Sequence, residues 1–242
     1  SYGLENQLIA GSASDNTTKL VSELNTTTNA AGVTGYTAQN SGTVDYSGNL
    51  DLKGANSVAV QTLNNGTANL NNATVKANGD ALRANAGNNT INVNGGTVTG
   101  TTNVFNSVAG TNSLVATNGA VLNGVMSLAA GTSSVELANG TTWNNTGNST
   151  VTSLDNAGTV AFATPITAAV GNYKTITVNG DYTGNNGKLV VNTLWNSDAD
   201  KDSDHLIIKG TASGTTVVST PNGIIAGEVL ATSLDIVVGD IP

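Results

Sequence analysis

Apolar residues in this chain come in short runs that alternate with Thr, Asn or Ser, as in Thr90-Ile91-Asn92-Val93 and Ser134-Val135-Glu136-Leu137. Period-two alternation rich in β-branched residues predicts strands of about four to six residues. Asn-Gly and Gly-Gly pairs close the runs and supply the positive-φ corners at which a strand ends. The pattern also returns. Val75 and Val98 lie 23 residues apart, in "NNATV" and "NGGTV", and so do Leu82 and Phe105. Leu52 precedes Val75 by 23, Val121 follows Val98 by 23, Trp143 comes 22 later and Val160 a further 17.

Two or three short strands per unit predict a coil that turns a corner after each strand and stacks on the coil beside it. The expected fold is all-β: a right-handed parallel β-helix, a solenoid of about 20–23 residues per coil. Val, Leu and Ile would point inward in columns, with Thr, Asn and Ser outside and Asn side chains stacked in ladders. Asn-Gly is also the strongest hairpin signal, so an antiparallel sandwich is the competing arrangement. A sandwich, however, has no reason to keep a 23-residue step.

The two ends depart from the pattern. Residues 1–30 lack it and are expected to form an irregular N-terminal capping segment, with "TTKLVSELN" (17–25) as a short helix. The coils are expected over 31–170. Beyond Pro165, "NYKTITVNGDYTGNNGKLVVNTLW" (172–195) holds longer strands around Gly184-Asn185-Asn186-Gly187. Residues 171–242 are therefore expected to be a C-terminal hairpin-type cap over the open edge of the stack.

Composition narrows the function. Only 10% of the 242 residues are charged and 4% aromatic, against the roughly 25% charge of ordinary globular domains. A net charge of −8 with 8 bases cannot neutralise a phosphate backbone, so nucleic acid is excluded as a partner. The same charge disfavours anionic membrane surfaces. The absence of Cys removes disulfides and thiolate chemistry. No run approaches the ~20 apolar residues of a membrane helix, so direct membrane insertion is not expected.

Candidate chemistry is sparse. Polysaccharide-active β-helices need clustered carboxylates, whereas the acids of 31–170 are Asp45, Asp51, Asp80, Glu136 and Asp155. Arg83 is the only arginine and His205 the only histidine. No catalytic residue and no cofactor is assigned, and an enzyme is not expected. Asp80 and Arg83, three apart, are expected to form a surface ion pair. Asp198, Asp200, Asp202 and Asp204 fall at alternate positions, but an EF-hand loop needs Gly sixth and Glu twelfth, where Ser203 and Lys209 stand. These four are expected to form a solvated connection, with a calcium site of another kind as the alternative. The triplets at Asn72, Asn88 and Asn148 match glycosylation acceptors, but in an Asn/Thr-rich repeat they also arise from turn and ladder composition.

Two stretches carry a family resemblance. "TTWNNTGNSTVTSLDNAGTVAF" (141–162) and "YKTITVNGDYTGNNGKLVVNTLWNSDADKDSDHLIIKGTASGTTVV" (173–218) resemble the C-terminal part of autotransporter passenger domains, the pertactin-like and AIDA-type proteins of Gram-negative bacteria. The resemblance implies an exported stalk or adhesin, anchored at the bacterial cell surface or secreted. Its implied partners are a host surface or matrix receptor or glycan, the same protein on neighbouring cells, and the translocator β-barrel of its own precursor. It further implies that the chain is a passenger fragment whose segment from about 141 to 242 is an autochaperone that emerges first and templates the folding of the coils. The nucleus of that segment would be Trp143, Leu154, Val160, Phe162, Tyr173, Ile176, Val178, Tyr182, Leu189, Val191, Leu206 and Ile208, acting by packing. A polysaccharide-active enzyme, or the stalk of a passenger with a catalytic domain upstream, is the alternative.

Overall fold

The computed structural model describes residues 8–197, 199–221 and 237–240. Among them every regular element is a strand, and the strands stack in parallel as a β-solenoid. The sandwich fails because the ladders between coils are parallel, and parallel partners need a full crossover rather than a hairpin.

Three inward columns run through the stack. In the first, Leu50, Val75, Val98, Leu122, Trp143, Val160 and Leu189 are successive partners. In the second, Val44, Ala68, Ile91, Leu114, Val135, Leu154 and Tyr182 follow one another. The third carries Tyr36, Val60, Leu82, Phe105 and Met126. All of these side chains are buried in one continuous core. Straight strand segments alternate, as in the buried–exposed pattern of Thr132–Leu137, so each pleat feeds the core on one side and water on the other.

Coil length varies while the column stays in register. Steps along the first column are 25, 23, 24, 21, 17 and 29 residues. Corners absorb the difference, with Asn72 at φ 50° and Gly95 and Gly96 at 72° and 78°. Gly96 also permits close approach, since a Cβ there would lie 2.2 Å from the Ala73 carbonyl oxygen. Outside the core, Asn69 Nδ2 donates to Asp45 Oδ1 at 2.6 Å and Asn92 Nδ2 donates to Asn69 Oδ1 at 2.7 Å, a ladder across three coils. Inside one corner, Asn89 Nδ2 donates to Asn112 Oδ1 at 2.9 Å.

Four sequence expectations are corrected. Val98 pairs with Leu122 rather than Val121, and Val75 with Leu50 rather than Leu52. A uniform 23-residue step misplaces these partners because corners gain or lose residues. A one-residue slip also exchanges the two faces, so Leu122 is buried and Val121 only half-buried. The helix expected over 17–25 is absent: Lys19–Ser22 is a strand in register with Thr43–Tyr46. Nor is the described part of 1–30 an irregular cap, because Leu8–Ala13 and Thr26–Thr28 are also paired, completing a coil. The waiting strand edge overrides a weak local helix preference. Finally, the Gly184–Gly187 stretch is no hairpin turn. Tyr182–Val190 is one strand that rounds a corner at Asn186 (φ 59°) and pairs in parallel with Ser153–Asn156 and Thr159–Phe162. The antiparallel hairpin lies later, between Thr193–Ser197 and Asp200–Ser203. Of the expected cap, residues 222–236 and 241–242 lie outside the described residues.

The register makes a direct prediction. Leu122→Ala should cost about 2–5 kcal/mol of stability, as for other large-to-small core changes. Val121→Ala should cost under about 1 kcal/mol. Urea midpoints of the two variants check this, and equal shifts would mean that the register is wrong.

Candidate functional site

One corner of the solenoid changes character along the stack. Two residues bridge Thr97–Gly100 to Asn103–Ser107, two bridge Val121–Asn123 to Met126–Leu128, and three bridge Thr142–Asn145 to Ser149–Val151. In the next two coils, twelve residues (163–174) and then fourteen (191–204) leave the stack at that same corner. Such excursions strand the backbone N–H groups at the ends of the flanking strands, and buried N–H groups need acceptors.

Asp204 supplies the acceptors. It is fully buried. Its Oδ1 accepts from Lys174 N at 2.8 Å, and its Oδ2 accepts from Asn192 N at 2.8 Å and Asn192 Nδ2 at 2.6 Å. Asn192 Nδ2 also donates to the Phe162 carbonyl at 3.1 Å, and Asp204 N donates to Asn192 O at 3.0 Å. One carboxylate and one amide thereby knot together the strand ends of three successive coils. A carboxylate is tolerated at such depth only when hydrogen bonds replace its water. The knot extends outward, where Lys174 Nζ donates to Ala163 O at 2.6 Å and Asp202 Oδ2 accepts from Gly171 N at 2.7 Å.

This corrects the view of the aspartates as a uniformly solvated connection. The carboxylates also diverge rather than converge: Asp204 turns inward, Asp202 to the 163–174 loop, and Asp200 to Asn196 Nδ2 at 2.8 Å. Asp198 lies outside the described residues. Among the described residues, no three acid or His side chains gather as metal ligands. His205 contributes its backbone, N–H to the Lys174 carbonyl at 2.9 Å.

Of the residues implied as a folding nucleus, Trp143, Leu154, Val160, Phe162, Ile176, Val178, Tyr182, Leu189, Val191, Leu206 and Ile208 all lie in the core. Trp143 Nε1 donates to Gly124 O at 2.9 Å, and the Tyr182 hydroxyl lies 2.6 Å from Thr216 Oγ1. Tyr173 is the exception: it sits half-buried on the excursion loop, outside the core. Partial burial raises its hydroxyl pKa, and the neighbouring carboxylates of Asp202, Asp204 and Asp200 raise it further.

Asp204 and Asn192 were not singled out as structural residues from the sequence. A signal was there for Asp204, which shares the inward parity of Leu206 and Ile208. For Asn192 there is none, because its role is set by chain brought back from 12 and 30 residues away. The excursion loop also borders an open cavity of about 450 Å³ between Ala163, Pro165, Ile166 and Asn172, whose one charged lining residue is Lys174. The Asp80–Arg83 ion pair forms, Nη2 to Oδ2 at 2.8 Å, but Asp80 is buried, not at the surface.

Comparison with known proteins falls on the same coils. Residues 149–238 match the family described as Autochaperone Domain Type 1. Over 55 residues the chain is 49% identical to "Uncharacterized protein YuaQ" of Escherichia coli (strain K12), which covers 23% of this chain and 4% of that protein. No solved structure matches the chain. The family match begins at Ser149–Val151, the first strand of the coil that leads into the first long excursion, and takes in both excursions and the Asp204 knot. Residues 149–238 thus match an autochaperone domain of type 1 within a parallel β-solenoid, consistent with the C-terminal region of an autotransporter passenger.

Proposed function

We propose that this chain is the stalk of a bacterial surface passenger and that its last coils nucleate the folding of the rest. The carrying observation is that the autochaperone match coincides with the coils where Asp204 and Asn192 tie three rungs together. A parallel stack is slow to nucleate, because its first contacts close loops of some twenty residues before any ladder rewards them. Once a rung exists, each further coil meets a ready strand edge and a ready apolar column. A knot that fixes strand ends across three rungs lowers the cost of that first step. Folding of this kind suits a chain that leaves its own translocator barrel unfolded and becomes ordered at the cell surface, either anchored there or released.

The role of the stalk is adhesive or self-associating rather than catalytic. Supporting this are the broad outer faces of Asn, Thr and Ser ladders. Its partners would be a host surface, matrix receptor or glycan, or the same protein on a neighbouring cell.

Two outcomes test these readings. Asp204→Ala should cost about 2–4 kcal/mol by leaving buried N–H groups without an acceptor. If the knot is in the nucleus, most of that loss appears as slower refolding after dilution from denaturant. Leu82→Ala, in the upstream coils, should instead speed unfolding and leave refolding nearly unchanged; a refolding rate untouched by Asp204→Ala counts against the nucleus. Separately, cells displaying the chain should aggregate or adhere to matrix-coated surfaces. Removing coils 31–140 while display persists should abolish this, and adherence that survives the removal would place the adhesive face elsewhere.

A further inference from the structure

A second polar site lies upstream on the solenoid, away from the autochaperone coils. Asp80 is only 3% exposed. Its Oδ1 accepts from Asn103 Nδ2 at 2.7 Å, and its Oδ2 accepts from Arg83 Nε at 2.9 Å, Arg83 Nη2 at 2.8 Å and Asn106 Nδ2 at 2.7 Å. Beside this cluster is a cavity of about 190 Å³, edged by the exposed Asn56 and Thr102 and floored by Asp80, Arg83, Asn103 and Asn106. These lining residues come from three successive coils, so the cavity exists only in the folded stack. Its side chains are all polar, with Gly79 adding backbone to the wall, and Asp80 holds the planar groups of Arg83, Asn103 and Asn106.

The chemistry of the walls selects the ligand. Asp80 and Arg83 cancel each other's charge, and the chain carries −8 overall, so nothing draws an anion inward. The two Asp80 oxygens already take four N–H donors, which leaves them poor ligands for a cation. Three of the five guanidinium N–H groups are not spent on Asp80. With the Asn103 and Asn56 amides and the Thr102 hydroxyl, they offer donors and acceptors side by side. That mixture is complementary to adjacent hydroxyls, each of which donates once and accepts. The cavity equals about six waters in volume, room for a single ring.

We propose that the Asp80–Arg83 cavity binds one ring of a neutral saccharide, with Arg83, Asn103, Asn56 and Thr102 contacting its hydroxyls and Asp80 positioning the guanidinium. No aromatic ring lines the cavity to stack on a sugar, so affinity for a free monosaccharide falls in about the millimolar range. The proposal deepens the adhesive reading and fails separately from it, because sugar binding is read on the purified chain and adhesion on displaying cells.

The test is a nuclear magnetic resonance titration of the full chain, following Arg83 Nε–H and the Asn103 and Asn106 side-chain amides. The probes are glucose, galactose, mannose and N-acetylglucosamine, with glucuronic acid, sialic acid and inorganic phosphate as the charged arm. Saturable shifts of these signals with at least one neutral sugar are expected. Thr102→Ala and Asn56→Gly, both on exposed side chains, should each weaken that sugar at least about three-fold without moving the melting temperature. Arg83→Gln should abolish binding, and the two rim variants carry the test if Arg83→Gln does not fold. Failure of every neutral sugar to shift these signals overturns the proposal. So does binding only by the charged probes, or sugar binding indifferent to both rim variants.

Discussion

The structure depends on one constraint: every coil must set its inward residue on the inward residue of the coil before it. Along the first column this holds over steps from 17 to 29 residues. Backbone hydrogen bonding enforces it, because a parallel rung has no partners except those on adjacent coils. Burial enforces it again, because a slip by one residue would turn a whole strand face from core to water. Corners are therefore the only places where length can vary, and Asn and Gly at positive φ occupy them.

The same constraint explains where polar groups are buried. When the chain leaves the stack for 163–174 and 191–204, the rungs beside the exit lose acceptors that the ladder would have supplied. Asp204 and Asn192 restore them from inside. Upstream, Asp80 does comparable work, holding Arg83 from its own coil and Asn103 and Asn106 from the next. In both places a carboxylate at an inward position is satisfied almost entirely by N–H donors, as burial of a charge demands. The two differ in consequence: one knot ties strand ends into a closed unit, and the other leaves a polar cavity beside it.

A quasi-one-dimensional stack also separates folding from recognition. Stability is carried by columns that run through every coil, so the outer faces can vary without disturbing the core. The ladder of Asp45, Asn69 and Asn92 lends the outer face order without apolar surface. Among the described residues, Ile166 and Val170 are exposed on the excursion loop, off the regular faces, and Val21, Leu24, Val217 and Val218 are exposed on or beside strands. A folding role concentrated in the last coils and a contact role spread over upstream faces are thus compatible in one chain.

Much of this was legible in the residues. Alternation and Asn-Gly corners are local properties, and with a step near 23 they already favoured a solenoid over a sandwich. The helix at 17–25 was misread because its strand state depends on an edge offered by Thr43–Tyr46. Asp80 and Asp204 were misread as surface charges, although each keeps the parity of inward neighbours, Leu82 and Ala84 in one case, Leu206 and Ile208 in the other. Alternation and turn chemistry act within a few residues, so the sequence by itself determined that this chain coils and stacks. Register, the site of the true hairpin and the burial of two carboxylates were decided by the tertiary structure, because each depends on hydrogen-bond partners that only the stacked coils bring within reach.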